Sequence, residues 1–288
     1  MTKDCNRRLR DLIARKQAVL LPGAANALTA RVIEDIGFEA IYVSGAGITN
    51  TFLGMPDIGL ISVTELASHV AALRNAVSLP LIVDADTGFG NAINVGHTVR
   101  ILERSGANAI QLEDQEFPKR CGHFSGKGVI PRAEMVQKIR AAVDARVDPN
   151  LVILARTDAI AVNGFEDAIE RAESYIEAGA DMTFVEAPRT AEQMAGIPKR
   201  LPVPQLLNIV AGGLTPMLEL AELQRMGYAF VLYANAALQA SVAGMQKVLG
   251  HLKDAGSLDG VSDALASFGE RQRLVNKPQF DALEKKYS

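Results

Sequence analysis

Short apolar runs alternate with longer amphipathic stretches from one end of the chain to the other. Eight runs have the length and near-continuous apolar character of strands buried on both faces. They begin near Ala18, Ala40, Leu81, Ala109, Leu151, Met182, Pro204 and Phe230. Between them apolar residues recur at helical spacing: Ala133, Met135, Val136, Ile139, Ala142 and Val143 share a face, with Lys and Arg in between. Ser62 with Glu65, and Thr190 with Gln193, have the spacing of capping boxes at helix starts. Gly37, Gly106, Gly179 and Gly227 each close a helical pattern shortly before a strand.

Strand and helix in regular alternation predict a parallel sheet covered on both faces. Eight units in 288 residues leave about 36 residues for each, which suits an α/β fold of the (β/α)8 TIM-barrel type. The rival is a doubly wound open sheet, which usually opens its first helix on a glycine-rich phosphate loop. Here the first strand runs out through Leu21-Pro22-Gly23-Ala24-Ala25-Asn26, which is no such loop. No linker or composition shift divides the chain, so residues 1–288 read as one barrel domain. Its tail, from about 257 to 288, is more polar and helical in pattern, placed to cap the barrel or to reach a partner subunit.

Composition acts by exclusion. A net charge of −3 carries no broad attraction to nucleic acid. No apolar stretch approaches the roughly 20 residues that span a bilayer, and Met1 to Arg10 is polar, without the apolar core of a signal peptide. Two distant cysteines, Cys5 and Cys121, are no disulfide framework. The expectation is a cytoplasmic protein that binds neither nucleic acid nor membrane.

In a barrel enzyme the chemistry gathers at the C-terminal ends of the strands. Read there, the chain offers Tyr42 and Ser44-Gly45-Ala46, Asp84-Ala85-Asp86, Glu113-Asp114, Arg156-Thr157-Asp158, Glu186, Asn208, and Tyr233-Ala234-Asn235. Asp84 and Asp86, two apart, are expected on one face of their strand. Two carboxylates side by side repel unless a cation or shared proton intervenes. With Glu113 from the next strand they form a hard-oxygen set that suits Mg2+, with Mn2+ as a substitute. After the fourth strand comes Lys119-Arg120-Cys121-Gly122-His123-Phe124-Ser125-Gly126-Lys127-Gly128. Cations flanking Cys121 lower a thiol's pKa and attract an anion, and a glycine-rich loop carrying an acid–base residue fits a site that closes over substrate. His123 is placed to orient substrate or tune the thiol. His97 and His251 fall in helical patterns and read as surface or packing residues.

Together these segments resemble the isocitrate lyase/phosphoenolpyruvate mutase superfamily. The motifs are Tyr42-Val43-Ser44-Gly45, Asp84-Ala85-Asp86-Thr87-Gly88-Phe89-Gly90, Glu113-Asp114-Gln115, Lys119-Arg120-Cys121-Gly122-His123, Ala155-Arg156-Thr157-Asp158, Glu186 and Asn208. Phosphonate mutases carry an Asn-Ser type of loop where this chain has Cys-Gly-His, so the resemblance implies the carbon–carbon lyase branch, similar to methylisocitrate and dimethylmalate lyases. It further implies Asp86 on Mg2+, with Asp84 and Glu113 holding the metal's waters and Asp57 nearby. Substrate carboxylates would lie against Tyr42, the backbone of Ser44, Gly45 and Ala46, Arg156 and Asn208. Gly122 and Glu186 complete the implied binding set, and Cys121 is the implied general acid. Tyr42 and a metal-bound water are the candidates for the base. The family also implies a homotetramer, a dimer of dimers whose eighth helix is exchanged between subunits.

Two departures bear on substrate. Methylisocitrate lyases of the best-known type carry Glu three residues after the seventh-strand Asn, where this chain continues Ala211-Gly212-Gly213, and Pro where it has Ala234. A 2-hydroxy diacid such as 2,3-dimethylmalate or 2-methylmalate therefore stands beside 2-methylisocitrate. Two other readings remain open: an oxaloacetate hydrolase using the same metal, and a barrel that binds a small anion without turning it over.

Overall fold

The computed structural model describes residues 2–120, 126–210 and 212–288, the side chains of residues 2 and 3 excepted. The chain opens with α1 (Thr2–Arg15), β1 (Val19–Ala24), α2 (Ala27–Ile36), β2 (Ile41–Val43), the short α3 (Gly45–Ile48) and α4 (Val63–Ala76). It continues β3 (Leu81–Asp84), α5 (Ala92–Ser105), β4 (Ala109–Glu113), α6 (Arg132–Ala145), β5 (Val152–Thr157) and α7 (Phe165–Glu177). The last barrel elements are β6 (Met182–Val185), α8 (Ala191–Arg200), β7 (Gln205–Asn208), α9 (Leu220–Met226) and β8 (Phe230–Tyr233). Three helices follow: α10 (Ala236–Ala255), α11 (Phe268–Leu274) and α12 (Lys277–Tyr287).

The eight strands pair in chain order, all parallel, and β8 closes on β1 with Val19 opposite Phe230. This is the expected TIM barrel. β3, β4, β6 and β8 begin at the expected residues, and the other four begin one residue later. Two of those delays have a plain cause: Ala18 has φ 48°, outside strand geometry, and Pro204 has no N–H for the ladder. Barrel closure needs Gly23, because a Cβ there would lie 1.9 Å from the carbonyl oxygen of Ala234.

Side chains pointing inward, among them Ile82, Leu154, Phe184, Leu206 and Phe230, fill the barrel. α1 closes its lower end with Leu9, Leu12 and Ile13 in the same cluster. Outward strand residues pack with the helices: Val83, Ile110 and Ile153 meet Val70, Val99 and Ile139. Capping follows the sequence closely. Ser62 and Glu65 form a complete capping box, and Gly37, Gly106 and Gly227 end their helices in left-handed geometry. At α8, Thr190 accepts from the Gln193 N–H, but the Gln193 side chain accepts from the Arg189 N–H rather than from the cap residue. α10 differs from the other long helices. It buries none of its residues, and Val242, Met245, Leu249 and Leu252 are all exposed. The tail touches the barrel through Arg273, which donates to both carboxylate oxygens of Asp35 on α2. Among the described residues no helix is long and apolar enough to cross a membrane.

Candidate active site

The C-terminal ends of the strands open on one pocket of about 450 Å3, its mouth included. Tyr42, Ser44, Ala46, Asp57, Asp84, Glu113, Arg156, Glu186 and Asn208 line it, all of them expected from the sequence. Lys119, Arg120, Val210, Leu232, Ala234 and Asn235 complete the wall. Gly45 lies beside them, and a Cβ on it would be 3.3 Å from Asp86 Oδ1 and 3.5 Å from Asp84 Oδ2. Cys121, Gly122 and His123 lie outside the described residues.

The metal candidates are arranged differently from the expectation of one strand face. β3 ends at Asp84, and Asp86 lies beyond it with φ 47°. The chain turns there because Gly88 donates its N–H to the Ala85 carbonyl at 2.9 Å with φ 86°. A side chain at Gly88 would run into Val95 at 2.5 Å. The turn brings the Asp86 N–H within 3.3 Å of Asp84 Oδ1, which also accepts from Gln111 Nε2 at 3.1 Å. Asp86 Oδ1 faces the Lys119 ammonium at 2.9 Å, and Lys119 also reaches Asp57 at 2.5 Å. Among the described residues no group of three or more His, Cys, Asp and Glu side chains is arranged to hold a metal ion.

Charge in the pocket is short on the positive side. Among the described residues Asp57, Asp84, Asp86, Glu113 and Glu186 face Lys119, Arg120 and Arg156. Burial, helped by Asp84 and Asp57, pushes Asp86 up to about 6 despite Lys119. Burial also raises Glu113 well above its usual range, although Arg156 pulls the other way. Among the described residues the buried Glu113 Oε1 and Asn208 Oδ1 find no hydrogen-bond donor. Hard oxygen acceptors, surplus negative charge and buried acceptors without donors fit a small divalent cation that keeps most of its waters.

Arg156 is held on several sides. Its Nε donates to Asp158 Oδ2 at 2.8 Å, and its Nη2 donates to Asp158 Oδ1 at 3.1 Å. Glu113 Oε2 lies 3.3 Å from Nε, and Glu186 Oε2 lies 3.2 Å from Nη2. The Phe184 ring lies beneath the guanidinium at 5.0 Å. Tyr42 is buried, and burial with the Asp84 charge raises its pKa well above 10, so its hydroxyl is a hydrogen-bond donor at neutral pH.

Two supporting residues carried no assigned role in the sequence. Lys127 Nζ donates to Asp158 Oδ1 at 2.8 Å, both side chains being almost fully buried. Burial would raise Asp158, but Arg156 and Lys127 outweigh it and hold the carboxyl down to about 2. Behind this pair Asp114 accepts from the Asp158 N–H at 2.9 Å, Thr157 Oγ1 at 2.7 Å and the Tyr175 hydroxyl at 2.8 Å. Arg171 Nη1 approaches Asp114 Oδ2 at 3.3 Å. The available signal was Asp158 beside Arg156 and a lone Lys between two glycines, but spacing alone could not join residues 31 positions apart.

Comparison with known proteins places the chain in a family. Residues 9–253 match the family model described as phosphoenolpyruvate phosphomutase. The chain is 42% identical over 281 residues to a 2,3-dimethylmalate lyase of Eubacterium barkeri, covering 98% of this chain and 97% of that one. It is 43% identical over 280 residues to a 2-methylisocitrate lyase of Aeropyrum pernix, covering 97% and 90%. Among solved structures, oxaloacetate acetylhydrolase in complex with 3,3-difluorooxalacetate superposes with a TM-score of 0.94 at 32% identity, covering 99% of this chain and 97% of that one. Phosphonopyruvate hydrolase in complex with oxalate and Mg2+ gives 0.89 at 32% identity, covering 100% and 99%.

Proposed function

We propose, since the chain belongs to the phosphoenolpyruvate mutase/isocitrate lyase superfamily and is a carbon–carbon lyase of its methylisocitrate/dimethylmalate lyase branch, that it cleaves a small methylated 2-hydroxy diacid with the help of Mg2+. The observation that carries this reading is the composition of the pocket wall. Arg156 and an acidic, cation-seeking cluster share the wall with the apolar side chains of Val210, Leu232 and Ala234. Carboxylates suit the first and methyl groups the second. 2,3-Dimethylmalate and 2-methylmalate have this division, whereas 2-methylisocitrate brings a third carboxylate.

Asp86 would hold the metal, with Asp84 and Glu113 holding its waters. When bound, the ion supplies Lewis-acid polarisation of the substrate's hydroxyl and neighbouring carboxylate. Tyr42, Asn208 and the backbone of Ser44, Gly45 and Ala46 orient the substrate carboxylates, as does Arg156. In the cleavage the hydroxyl passes its proton to a water held at the acidic cluster, and its oxygen forms the new carbonyl. The C2–C3 bond electrons pass to C3, where charge spreads into the departing carboxylate and Arg156 stabilises it. Cys121 then delivers a proton to C3. The products are a 2-keto acid, pyruvate where C2 carries a methyl group, and a second carboxylic acid. The exposed apolar face of α10 supports its exchange with a partner subunit in a homo-oligomer.

The test is a panel of 2,3-dimethylmalate, 2-methylmalate, 2-methylisocitrate, isocitrate and oxaloacetate with Mg2+, with keto-acid release followed for each. Keto acid from a methylated diacid is expected, with at least a thousandfold loss in Cys121→Ser at unchanged substrate affinity. Full turnover after EDTA treatment would reject the metal assignment. The likeness to oxaloacetate acetylhydrolase favours one second reading. In that case oxaloacetate alone would be consumed, with oxalate as a product.

A further inference from the structure

Arg156 serves the proposed chemistry only if part of its guanidinium remains directed at substrate while three carboxylates compete for it. Asp158 takes Nε and Nη2, and Glu113 and Glu186 approach the same two nitrogens. Nη1 takes part in none of these contacts, and Arg156 lines the pocket. Among the described residues the fork is gripped through Nε and Nη2, and Nη1 is the nitrogen left for an anion.

Such a grip has an electrostatic cost. Three carboxyl groups crowd one buried cation, and each of them that is ionised lessens its attraction for a further anion. Lys127 changes that balance. Its ammonium donates to Asp158 Oδ1, the oxygen that also accepts from Arg156 Nη2, and both partners are about 99% buried or more. A charge pair so well removed from water is screened little. Lys127 belongs to the chain between β4 and α6, whereas Asp158 follows β5, so the contact joins the loops of two neighbouring strands. Asp158 is itself fixed from behind, because its N–H donates to Asp114.

We propose that Lys127 is a positioning residue that offsets the charge of Asp158, so that Asp158 aligns Arg156 without consuming its attraction for the substrate carboxylate. Lys127 touches no substrate in this account and acts through Asp158. The proposal rests on the functional reading above only in naming a carboxylate as the ligand of Arg156.

The experiment uses the full-length Mg2+-equilibrated protein and two variants. Lys127→Gln keeps a hydrogen-bond donor but drops the charge, and Lys127→Arg keeps the charge. Oxalate affinity is measured by calorimetry, Mn2+ affinity without oxalate by electron paramagnetic resonance, and the Lys127→Gln protein is crystallised. Oxalate binding to Lys127→Gln is expected to weaken about tenfold or more, Mn2+ binding to change less than about twofold, and Lys127→Arg to recover most of the loss. The crystal structure is expected to show Nη1 of Arg156 drawn onto one of the neighbouring carboxylates. Unchanged oxalate affinity overturns the proposal, as does a parallel loss of oxalate and Mn2+, which marks general distortion. If the wild-type protein takes up no oxalate, the crystal structure decides, and an Arg156 with Nη1 still clear of the carboxylates overturns the proposal. Failure of the lyase reading is seen separately, as absence of cleavage across the substrate panel, and leaves both readouts intact.

Discussion

Asp114 is fully buried at the end of β4, and its replacement by Asn gives a sharp test of what supports the site. Oδ2 accepts from Thr157 Oγ1 and from the Tyr175 hydroxyl and faces Arg171 Nη1, while Oδ1 accepts from the backbone N–H of Asp158. Asn has the same shape but only one acceptor oxygen. With that oxygen on the side of the three donors, the amide NH2 confronts the Asp158 N–H, donor against donor. The loss is one hydrogen bond to a charged acceptor and a stranded buried N–H, together about 3 kcal/mol. Relief works against this loss, because burial raises Asp114 above its ordinary range and a neutral amide escapes that penalty. A net loss of about 2–3 kcal/mol remains, equivalent to a Tm lower by roughly 3–5 °C for a chain of this size. Tyr175→Phe removes one donor and leaves Oδ2 its others, so about 1 kcal/mol is expected. Urea unfolding followed by circular dichroism measures both. The Asn variant should also lose activity, because Asp158 no longer has a fixed backbone from which to align Arg156. A loss under about 1 kcal/mol in Asp114→Asn would refute the reasoning, as would equal losses in the two variants.

Two further outcomes follow from the same geometry. Gly45→Ala places a methyl group 3.3 Å from Asp86 Oδ1 and 3.5 Å from Asp84 Oδ2. It should weaken Mn2+ binding about tenfold by crowding the carboxylates while leaving thermal unfolding within about 2 °C, and unaltered Mn2+ affinity by paramagnetic resonance would contradict it. Asp158 is held down to about 2 in the folded chain, below its ordinary 3.8. A carboxyl depressed by folding contributes stability in full above its unfolded pKa, and that contribution is lost as pH falls from there through its folded value. Acid titration of unfolding should therefore steepen between about pH 4 and 2 in the wild type, and a wild-type slope no steeper than that of Asp158→Asn would count against the assignment.

The barrel was legible because its signals are local. Strands covered on both faces must be apolar along their length, which marks Leu81, and a glycine after the preceding helix marks Ala109, Met182 and Phe230 as well, in each case without reference to anything distant. Polar residues at the strand ends were legible for the same reason, and Tyr42, Asp84, Glu113, Arg156, Glu186 and Asn208 meet in one pocket. The pairing of those residues was not. In the sequence Asp86 is a second residue on the strand of Asp84, yet the Gly88 turn carries it off that strand and onto Lys119, an ion pair spanning 33 positions. Lys119 itself stands in the chain as a flanking cation of Cys121, and only the folded loop brings it to Asp57 as well. α1 was equally silent, since Leu9, Leu12 and Ile13 among polar neighbours give no sign that they close the bottom of the barrel.

These failures have a common physical origin. Burial of an apolar residue is favourable against almost any apolar neighbour, so it is written in composition and period. An ion pair exists only where two loops meet with the right geometry, and burying its charges costs free energy unless partners offset them. Arg156 shows the consequence. Its position at the end of β5 was readable, and Glu113 lies directly opposite it in the β4–β5 register. What makes it usable as a ligand for an anion is the company it keeps: Asp158 beside it and Lys127 from another loop. If Lys127 offsets Asp158 as proposed, recognition of a carboxylate in this barrel is a property of a charge network rather than of one arginine, and an altered substrate preference would arise at Lys127 or Asp114 without any change in the residues that line the pocket.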